Sequence, residues 1–370
     1  MALPAGRDQV MDIQYRSFDK ARDYADQRSL FRLSFPETIA TPAETDAHFS
    51  WKFESNPAQP QSYQYVAAEP TGVVGYYAAI PFSYSVDGTA MNSGMLCDVM
   101  THPERRGKGI FASIGQFGTG EMKREGLSFT TAYPIRAEGM SSHLKVGWKP
   151  VQSLPLYLRV LGVRSLLPAS LRFLSPLLNP VVRLLQAWTL PVPNGYSTQV
   201  LTRDEFLADY CENDGEYPRL LAQWLPRQGN ALLKGADFLR WRTGAPGTEY
   251  LFITLRHDDR LVGLAIARPT QLKNVETLAL LDFMVLAEHA KGSTALHARL
   301  RQVARRSGKD TVACMCSRQS AKRYRFAGSA YVRSHLAFTL IVKKLDEGIA
   351  DELVYSESRW QPFWLDSDDL

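Results

Sequence analysis

Runs of apolar residues in the first half of the chain predict a set of strands joined by tight turns. Residues 63–69 and 73–80 are rich in β-branched and aromatic side chains, and Pro70-Thr71-Gly72 between them is typical of a hairpin. Asp87-Gly88 indicates another turn before a strand predicted over residues 95–101. The strands therefore follow one another closely before any helix intervenes.

Helical periodicity appears next, in residues 109–124, where apolar side chains recur on one face. A strand (127–133), a short helix (138–145) and a further strand (148–157) complete the first half. Strands alternating with helices predict an α/β layered domain. The second half has the same pattern, with strands at 250–256, 261–268 and 278–286, a helix at 294–306, and further elements at 312–316, 320–326 and 331–342.

The two halves also share short motifs in the same order. Trp51 matches Trp241 within a longer aromatic and basic segment, and Asp98 matches Asp282 on an apolar strand. The other matches are residues 72–75 with 260–263 and residues 145–147 with 326–328. One such match can arise by chance, but four in register predict two copies of one domain.

This repeat divides the chain into four predicted parts. The first domain is predicted over residues 1–154 and the second over 198–345. A basic, Leu- and Pro-rich linker is expected over 155–197, and a tail over 346–370.

Charge and composition narrow the choice of partner. The net charge of +5 comes mainly from residues 139–203, which contain no Asp or Glu, so a diffuse nucleic-acid-binding surface is not expected.

Four cysteines and the absence of an apolar leader favour a reduced, cytoplasmic location. Residues 155–193 lack a run able to span a membrane. They either pack across both domains or form a basic apolar face for anionic lipid or a lipid-linked substrate at the inner membrane face.

The segment between the strand 95–101 and the helix 109–124 has the features of an anion-binding loop. Gly107 and Gly109 free the backbone to turn successive N–H groups toward one point, and the following helix adds its positive dipole end. Arg105, Arg106 and Lys108 add charge at the rim. The pattern predicts a pyrophosphate site.

The loop resembles the coenzyme A loop of GNAT acetyltransferases, although Glu104 stands where that family most often has Gln or Arg. The resemblance implies two tandem GNAT domains, each a mixed, mainly antiparallel sheet flanked by helices. It also implies that residues 97–101 splay from the neighbouring strand to bind the pantetheine arm. Acetyl-CoA or another acyl-CoA is then the co-substrate, with no metal. The implied coenzyme-binding residues are Met100, Thr101, Arg105, Arg106, Gly107, Lys108, Gly109 and Ile110.

The second half lacks this loop. Residues 290–294 carry one lysine and one glycine, Lys291 and Gly292, and no second glycine. We expect this copy not to bind coenzyme, and instead to shape the acceptor cleft or stiffen the first copy.

The candidate catalytic residues each have a structural alternative. His143 occupies the place, four residues before Gly147, where GNAT enzymes often have a tyrosine acid, but it is also a candidate helix-packing residue. Asp98 is a candidate base, although the retention of Asp282 in the second copy favours a structural role. Glu138 is a weaker candidate because a carboxylate at a helix start usually caps it. Tyr133 either lines the acceptor pocket or packs in the core.

The tail adds one more hypothesis. Trp360, Phe363 and Trp364 are expected to dock, because large aromatic side chains are costly to leave in water. If they dock at the cleft, Asp366, Asp368 and Asp369 become candidates to bind a cationic amine or act as base.

Together these features predict an acyl-CoA-dependent N-acyltransferase that transfers its group directly in a ternary complex. The expected acceptor is a small amine such as an amino sugar or an amino-acid-like metabolite. Two alternatives remain at this point, a Fem-like aminoacyl transferase and a non-catalytic acyl-CoA-binding or scaffold protein.

Overall fold

The computed structural model of the protein describes residues 12–185, 189–212 and 215–368. This part of the chain contains one sheet of 13 strands. The strands are β1 (Gln14–Ser17), β2 (Tyr63–Glu69), β3 (Gly72–Val86), β4 (Thr89–Thr101), β5 (Phe129–Ala132), β6 (Lys149–Val160), β7 (Tyr196–Thr202), β8 (Asn230–Leu232), β9 (Leu251–His257), β10 (Arg260–Leu272), β11 (Val275–Val285), β12 (Thr311–Met315) and β13 (Val332–Lys344).

Helices connect the strands and pack against the sheet. They are α1 (Lys20–Ser34), α2 (Asp46–Glu54), α3 (Ile110–Arg124), α4 (Ala137–Lys145), α5 (Ser175–Leu185), α6 (Arg203–Phe206), α7 (Glu216–Trp224), α8 (Ala236–Arg242), α9 (Ser293–Arg306), α10 (Arg318–Arg323) and α11 (Asp351–Tyr355). The strand predicted at 63–69 has the predicted bounds, and the helix predicted at 109–124 begins one residue later.

β3 and β4 are longer than the sequence pattern predicts. The reason is the turn between them, where Asp87 (φ 52°) and Gly88 (φ 82°) both adopt left-handed backbone angles. Such a two-residue turn matches the twist of the flanking strands, so pairing continues from Val86 opposite Thr89 along the whole hairpin.

The order of the strands mirrors the repeat in the sequence. From one edge to the other it is β1-β2-β3-β4-β5-β13-β6-β12-β11-β10-β9-β7, with β8 paired to β3. Strands at equal distance from the centre occupy matching positions in the two copies. One such pair is β4, which contains Asp98, and β11, which contains Asp282. The two parallel pairs, β4–β5 and β11–β12, also correspond. The prediction of a tandem fold with a mixed, mainly antiparallel sheet is confirmed.

At the centre of the sheet, the last strands of the two copies interleave. β13 of the second copy pairs with β5 of the first, with Lys344 opposite Phe129. β6 of the first copy pairs with β12 of the second, with Val160 opposite Thr311. The boundary predicted between residues 154 and 155 lies inside β6, so strand pairing continues across it.

A reciprocal tryptophan pair joins the copies a second time. The Trp51 indole N–H donates to the Trp241 carbonyl at 2.6 Å, and the Trp241 indole N–H donates to the Trp51 carbonyl at 2.8 Å. The rings stack at 5.6 Å with an interplanar angle of 18°. These are the matched tryptophans of the sequence repeat, so the contact has the approximate two-fold symmetry of the sheet.

The predicted linker consists of the end of β6, a 3₁₀ turn over Ala169–Leu174 and α5 in its described part. Within the described chain, every helix is too short or too polar to cross a bilayer.

Replacing Trp241 by Ala tests the importance of the tryptophan pair. We expect the free energy of unfolding to fall by about 3 kcal/mol, because the aromatic contact and the hydrogen bond donated by the Trp241 indole are lost. Urea unfolding measures the change. Phe173→Ala is the control, since that ring is 73% exposed. The double variant Trp51→Ala/Trp241→Ala should lose less than the sum of the single losses, and simple additivity would show that the rings do not act as a pair.

Candidate functional site

A cleft of about 1210 Å³ runs along the first copy and is closed on one side by the second. The first copy contributes β4, the loop after it and α4. The second copy contributes Trp241, Arg242, Tyr250 and Arg268, and the tail contributes Asp368. Clefts between domains are common places for ligands.

The loop after β4 has the open backbone expected of an anion site. Gly107 (φ 78°) and Gly109 (φ 79°) both adopt left-handed angles. A Cβ atom built on either glycine meets nothing within 4 Å, so the space beside both is open. Gly109 caps α3 without a side-chain hydrogen bond, which leaves the first helical amides to an incoming anion.

The basic residues of the loop are held differently from one another. Arg105 donates to the Glu69 carboxylate at 2.8 and 3.1 Å, so its charge is largely balanced within the protein. Arg106 donates to the Thr101 carbonyl at 3.3 Å. Of the eight predicted coenzyme residues, all except Lys108 line the cleft.

β4 separates from β5 just before the loop. The two strands pair only from Ser93 opposite Phe129 to Met95 opposite Thr131. Beyond Met95, β4 pairs with β3 alone, and its register with β3 shifts around Asp98, whose φ is 47°. This is the splay that the family resemblance implies. It leaves backbone groups between Leu96 and Thr101 facing the cleft.

A compact charged cluster lies at this splay. The Lys52 ammonium donates to Asp98 at 2.8 Å and to Asp368 at 3.2 Å. Burial opposes the charge on Lys52, but the carboxylates of Asp98 and Asp368 raise its pKa above the ordinary lysine value. The Cys97 sulfur and both carboxylates lie within 4.8 Å of one another, and Lys52 supplies the cation among them. Burial raises the pKa of the Cys97 thiol, so it stays protonated.

The second copy contains a similar cluster in its interior. The Lys234 ammonium lies 2.7 Å from Asp282 and 2.8 Å from Asp366, and all three side chains are buried. Asp282 therefore balances a lysine, as its match Asp98 balances Lys52. This shared arrangement explains why both copies retain the aspartate.

The second copy differs from the first in two features at the place of the loop. The 3₁₀ turn Ala287–Gly292 leads directly into α9, and Gly292 has φ −67° instead of a left-handed angle. A Cβ on Gly292 would lie 2.5 Å from the Tyr196 ring, so the space that is open beside Gly107 is filled here. The tail packs into the second copy as well: Phe363 forms a β-bridge with Cys316, just beyond β12, and Asp366 binds Lys234.

Three further predicted residues line the cleft in different environments. His143 is buried between Phe111 and Trp148, and burial with the nearby Lys343 lowers its pKa to about 4. Its imidazole is thus neutral at pH 7 and poorly suited to protonate a leaving group. Glu138 lies in the exposed first turn of α4. Tyr133 is buried with its hydroxyl lacking a hydrogen-bond partner among the described residues.

The structure adds cleft residues that the sequence did not single out. Arg268 and Tyr250 come from the second copy, with the guanidinium 5.9 Å from the tyrosine ring. The Arg268 Nε and the Tyr250 hydroxyl are buried without a hydrogen-bond partner in the part of the chain described. Lys52 is a further addition, and the docked tail brings it together with Asp368, which the sequence offered as a candidate. Asp369 lies outside the described residues.

Comparison with known proteins agrees with this geometry. Residues 8–151 match the model of the acetyltransferase (GNAT) domain family. A search of curated proteins finds no match. Among solved structures, a GCN5-related N-acetyltransferase from Anabaena variabilis is similar with a TM-score of 0.64 and 12% identity, over 90% of this chain and 73% of that one.

Two further solved structures have the same fold over most of this chain. A tandem GNAT protein of the clavulanic acid biosynthesis pathway has a TM-score of 0.56 and 14% identity, covering 92% of this chain and all (100%) of its own. Saccharomyces cerevisiae N-myristoyltransferase has a TM-score of 0.58 and 13% identity, and the match covers 100% of this chain and 88% of that one. Residues 8–151 therefore match the GNAT domain family, and the described chain has the fold of a tandem GNAT protein.

Proposed function

We propose that the protein is an acyl-CoA-dependent N-acyltransferase that transfers an acetyl or short acyl group to a small amine. One observation carries the proposal: the open loop at Gly107 and Gly109 shares a cleft with the unpaired edge of β4 and with the Asp98–Lys52–Asp368 cluster. Donor-binding and proton-accepting groups thus face one space.

The donor side fits a coenzyme with a pyrophosphate and an extended amide-bearing arm. The amides at the start of α3 face the open loop, and Arg106 lies beside them. The freed edge of β4 offers backbone hydrogen bonds to the arm, and its N–H groups near Met100 and Thr101 would polarise a thioester carbonyl.

The state of the cleft thiol supports direct transfer. An acyl-enzyme would need a thiolate, but the raised pKa of Cys97 keeps it protonated. The amine nitrogen then attacks the thioester carbon, and the C–S bond breaks with its electron pair leaving on the coenzyme A thiolate. The amine loses a proton to a carboxylate, which passes it to the thiolate or to water. Asp368 suits this role better than Asp98, because its side chain is 28% exposed against 13%.

The acceptor side favours an amine that also carries a carboxylate. Asp98 and Asp368 offer negative charge for an ammonium group, and Arg268 with Tyr250 offers unfilled donors for an anion. Burying such donors without a partner is costly, so a ligand carboxylate would stabilise them. Between the two expected acceptor classes, these contacts favour amino-acid-like metabolites over amino sugars.

Thiol release from acetyl-CoA and longer acyl-CoAs, measured against amino acids, amino sugars and polyamines, tests the function. Gly107→Asp places a carboxylate where the pyrophosphate is expected and should weaken CoA binding by at least about 10-fold. Gly107→Asn is the matched control, because Asn tolerates the same backbone angle, has the same shape and is neutral. Equal CoA affinity of the two variants would show that the loop does not bind the coenzyme.

The base assignment predicts different results for the two aspartates. Asp368→Asn should lower kcat by about 10²-fold or more with little change in stability, since Lys52 keeps Asp98. Asp98→Asn should mainly lower the free energy of unfolding, because it removes the closer partner of a buried lysine. Steady-state kinetics and urea unfolding separate the two effects, and an unchanged kcat in Asp368→Asn would exclude it as base.

The acceptor assignment predicts a loss of selectivity in Arg268→Met. KM for an amino-acid acceptor should rise about 10-fold or more, because a charge-assisted hydrogen bond is lost. KM for the corresponding decarboxylated amine and the affinity for CoA should stay unchanged. Arg260→Met, at an exposed position of the same strand, is the control. Equal effects on both acceptors would contradict a carboxylate site.

A further inference from the structure

Many exposed apolar side chains lie on the segment between the two copies, outside the cleft of the proposed reaction. Most of the large hydrophobic side chains that are exposed belong to residues 166–192, which places them on one surface segment instead of scattering them. They are Leu166, Leu171, Phe173, Leu177, Leu178, Val181, Leu184, Leu190 and Val192. Concentrated patches of this kind mark interaction sites.

α5 presents its apolar side chains outward. Leu177, Val181 and Leu184 recur on one helical face and are 73%, 55% and 69% exposed. The opposite face is anchored by small and polar groups, since Ser175 is buried and Asn179 accepts a hydrogen bond from the Val163 amide at 3.1 Å. A helix that packed only for stability would have the reverse arrangement.

Basic residues surround this face. Arg164 and Arg172 are exposed within the segment itself. On α9, Arg301, Arg305 and Arg306 line a groove of about 480 Å³ that also includes Val192. Val192 thus places the end of the segment beside the arginines of α9.

Acidic residues near the segment are already engaged. The Asp310 carboxylate accepts hydrogen bonds from the Ser165 amide and hydroxyl, both at 2.6 Å. Glu276 pairs with Lys309 at 2.6 Å. Residues 140–203 include no Asp or Glu, so the charge of the surface is positive throughout the segment.

We propose that this surface, formed by residues 164–182, Leu184 and residues 189–192 with the arginines of α9, docks on an anionic lipid bilayer. Leu177, Val181 and Leu184 insert among the acyl chains, and the arginines contact the headgroups. A surface with an apolar stripe and only positive charge matches an anionic membrane interface, where each apolar insertion and each basic contact adds to binding. A neutral protein partner would give no reason for the absence of acidic residues.

Vesicle sedimentation of the full chain tests this proposal. The protein should sediment with vesicles of phosphatidylcholine and phosphatidylglycerol, and much less with phosphatidylcholine alone. Added salt should weaken the binding, because it screens the headgroup charge. Equal binding to the two kinds of vesicle, or binding to neither, would overturn the proposal.

In the triple variant Leu177→Glu/Val181→Glu/Leu184→Glu, the affinity for anionic vesicles should fall by at least about 10-fold. Leu33→Glu/Ile39→Glu is the matched control, since both residues are exposed apolar positions outside the surface. Thermal unfolding checks that the triple variant folds. If it does not fold, Arg164→Glu/Arg172→Glu replaces it and should show the same loss.

Other results separate the remaining occupants of the surface. A dimer of the parent chain that the triple variant abolishes, without vesicle binding, would assign the surface to a second copy and overturn the proposal. CoA binding should be unchanged in the triple variant, because its three positions lie outside the cleft. The outcome therefore does not depend on whether the proposed acyl transfer is correct.

Discussion

The interleaving of β6 and β13 is the constraint on which the rest of the structure depends. Each copy completes its sheet with a strand of the other, so the main-chain hydrogen bonds of β5 and β12 require both copies to be folded. The order of the strands then fixes the position of one copy relative to the other. Trp51 and Trp241 reinforce that position near the cleft. The side of the cleft that the second copy supplies therefore belongs to the same sheet as β4, which leads into the loop.

The tail converts a symmetric frame into an asymmetric pair of sites. Asp366 turns into the second copy and binds Lys234, while Asp368, two residues later, reaches Lys52 in the first. Between them, the Ser367 carbonyl accepts a hydrogen bond from Arg242. One short segment thus closes one cleft and contributes a carboxylate to the other. The loss of the loop at Gly292 and the filling of the second cleft are consistent with each other.

Local features of the fold could be predicted from the sequence because short-range physics determines them. The bounds of β2, the helix α3 and the Asp87-Gly88 turn follow from periodicity and backbone preference. The matched motifs revealed the repeat. The interleaved strands could not be predicted, since the hydrophobic pattern of β6 would be the same whether it paired with β5 or with β12. Lys52 escaped notice because its ion partners, Asp98 and Asp368, are distant in sequence.

The retention of an aspartate in both copies illustrates how a repeat changes the interpretation of a site. Asp98 alone, on a splayed strand beside an open cleft, would be taken for a base. Asp282 holds the same place where no cleft is open, and there it balances a buried lysine. Removing either carboxylate leaves a buried ammonium with fewer partners, which is costly in both copies. The aspartate therefore balances a lysine in both copies, and the tail gives each lysine a second carboxylate, Asp368 to Lys52 and Asp366 to Lys234. The copies differ in what surrounds that second carboxylate: the Asp368 side chain is 28% exposed in the cleft that also contains the two loop glycines, whereas the Asp366 side chain is 8% exposed.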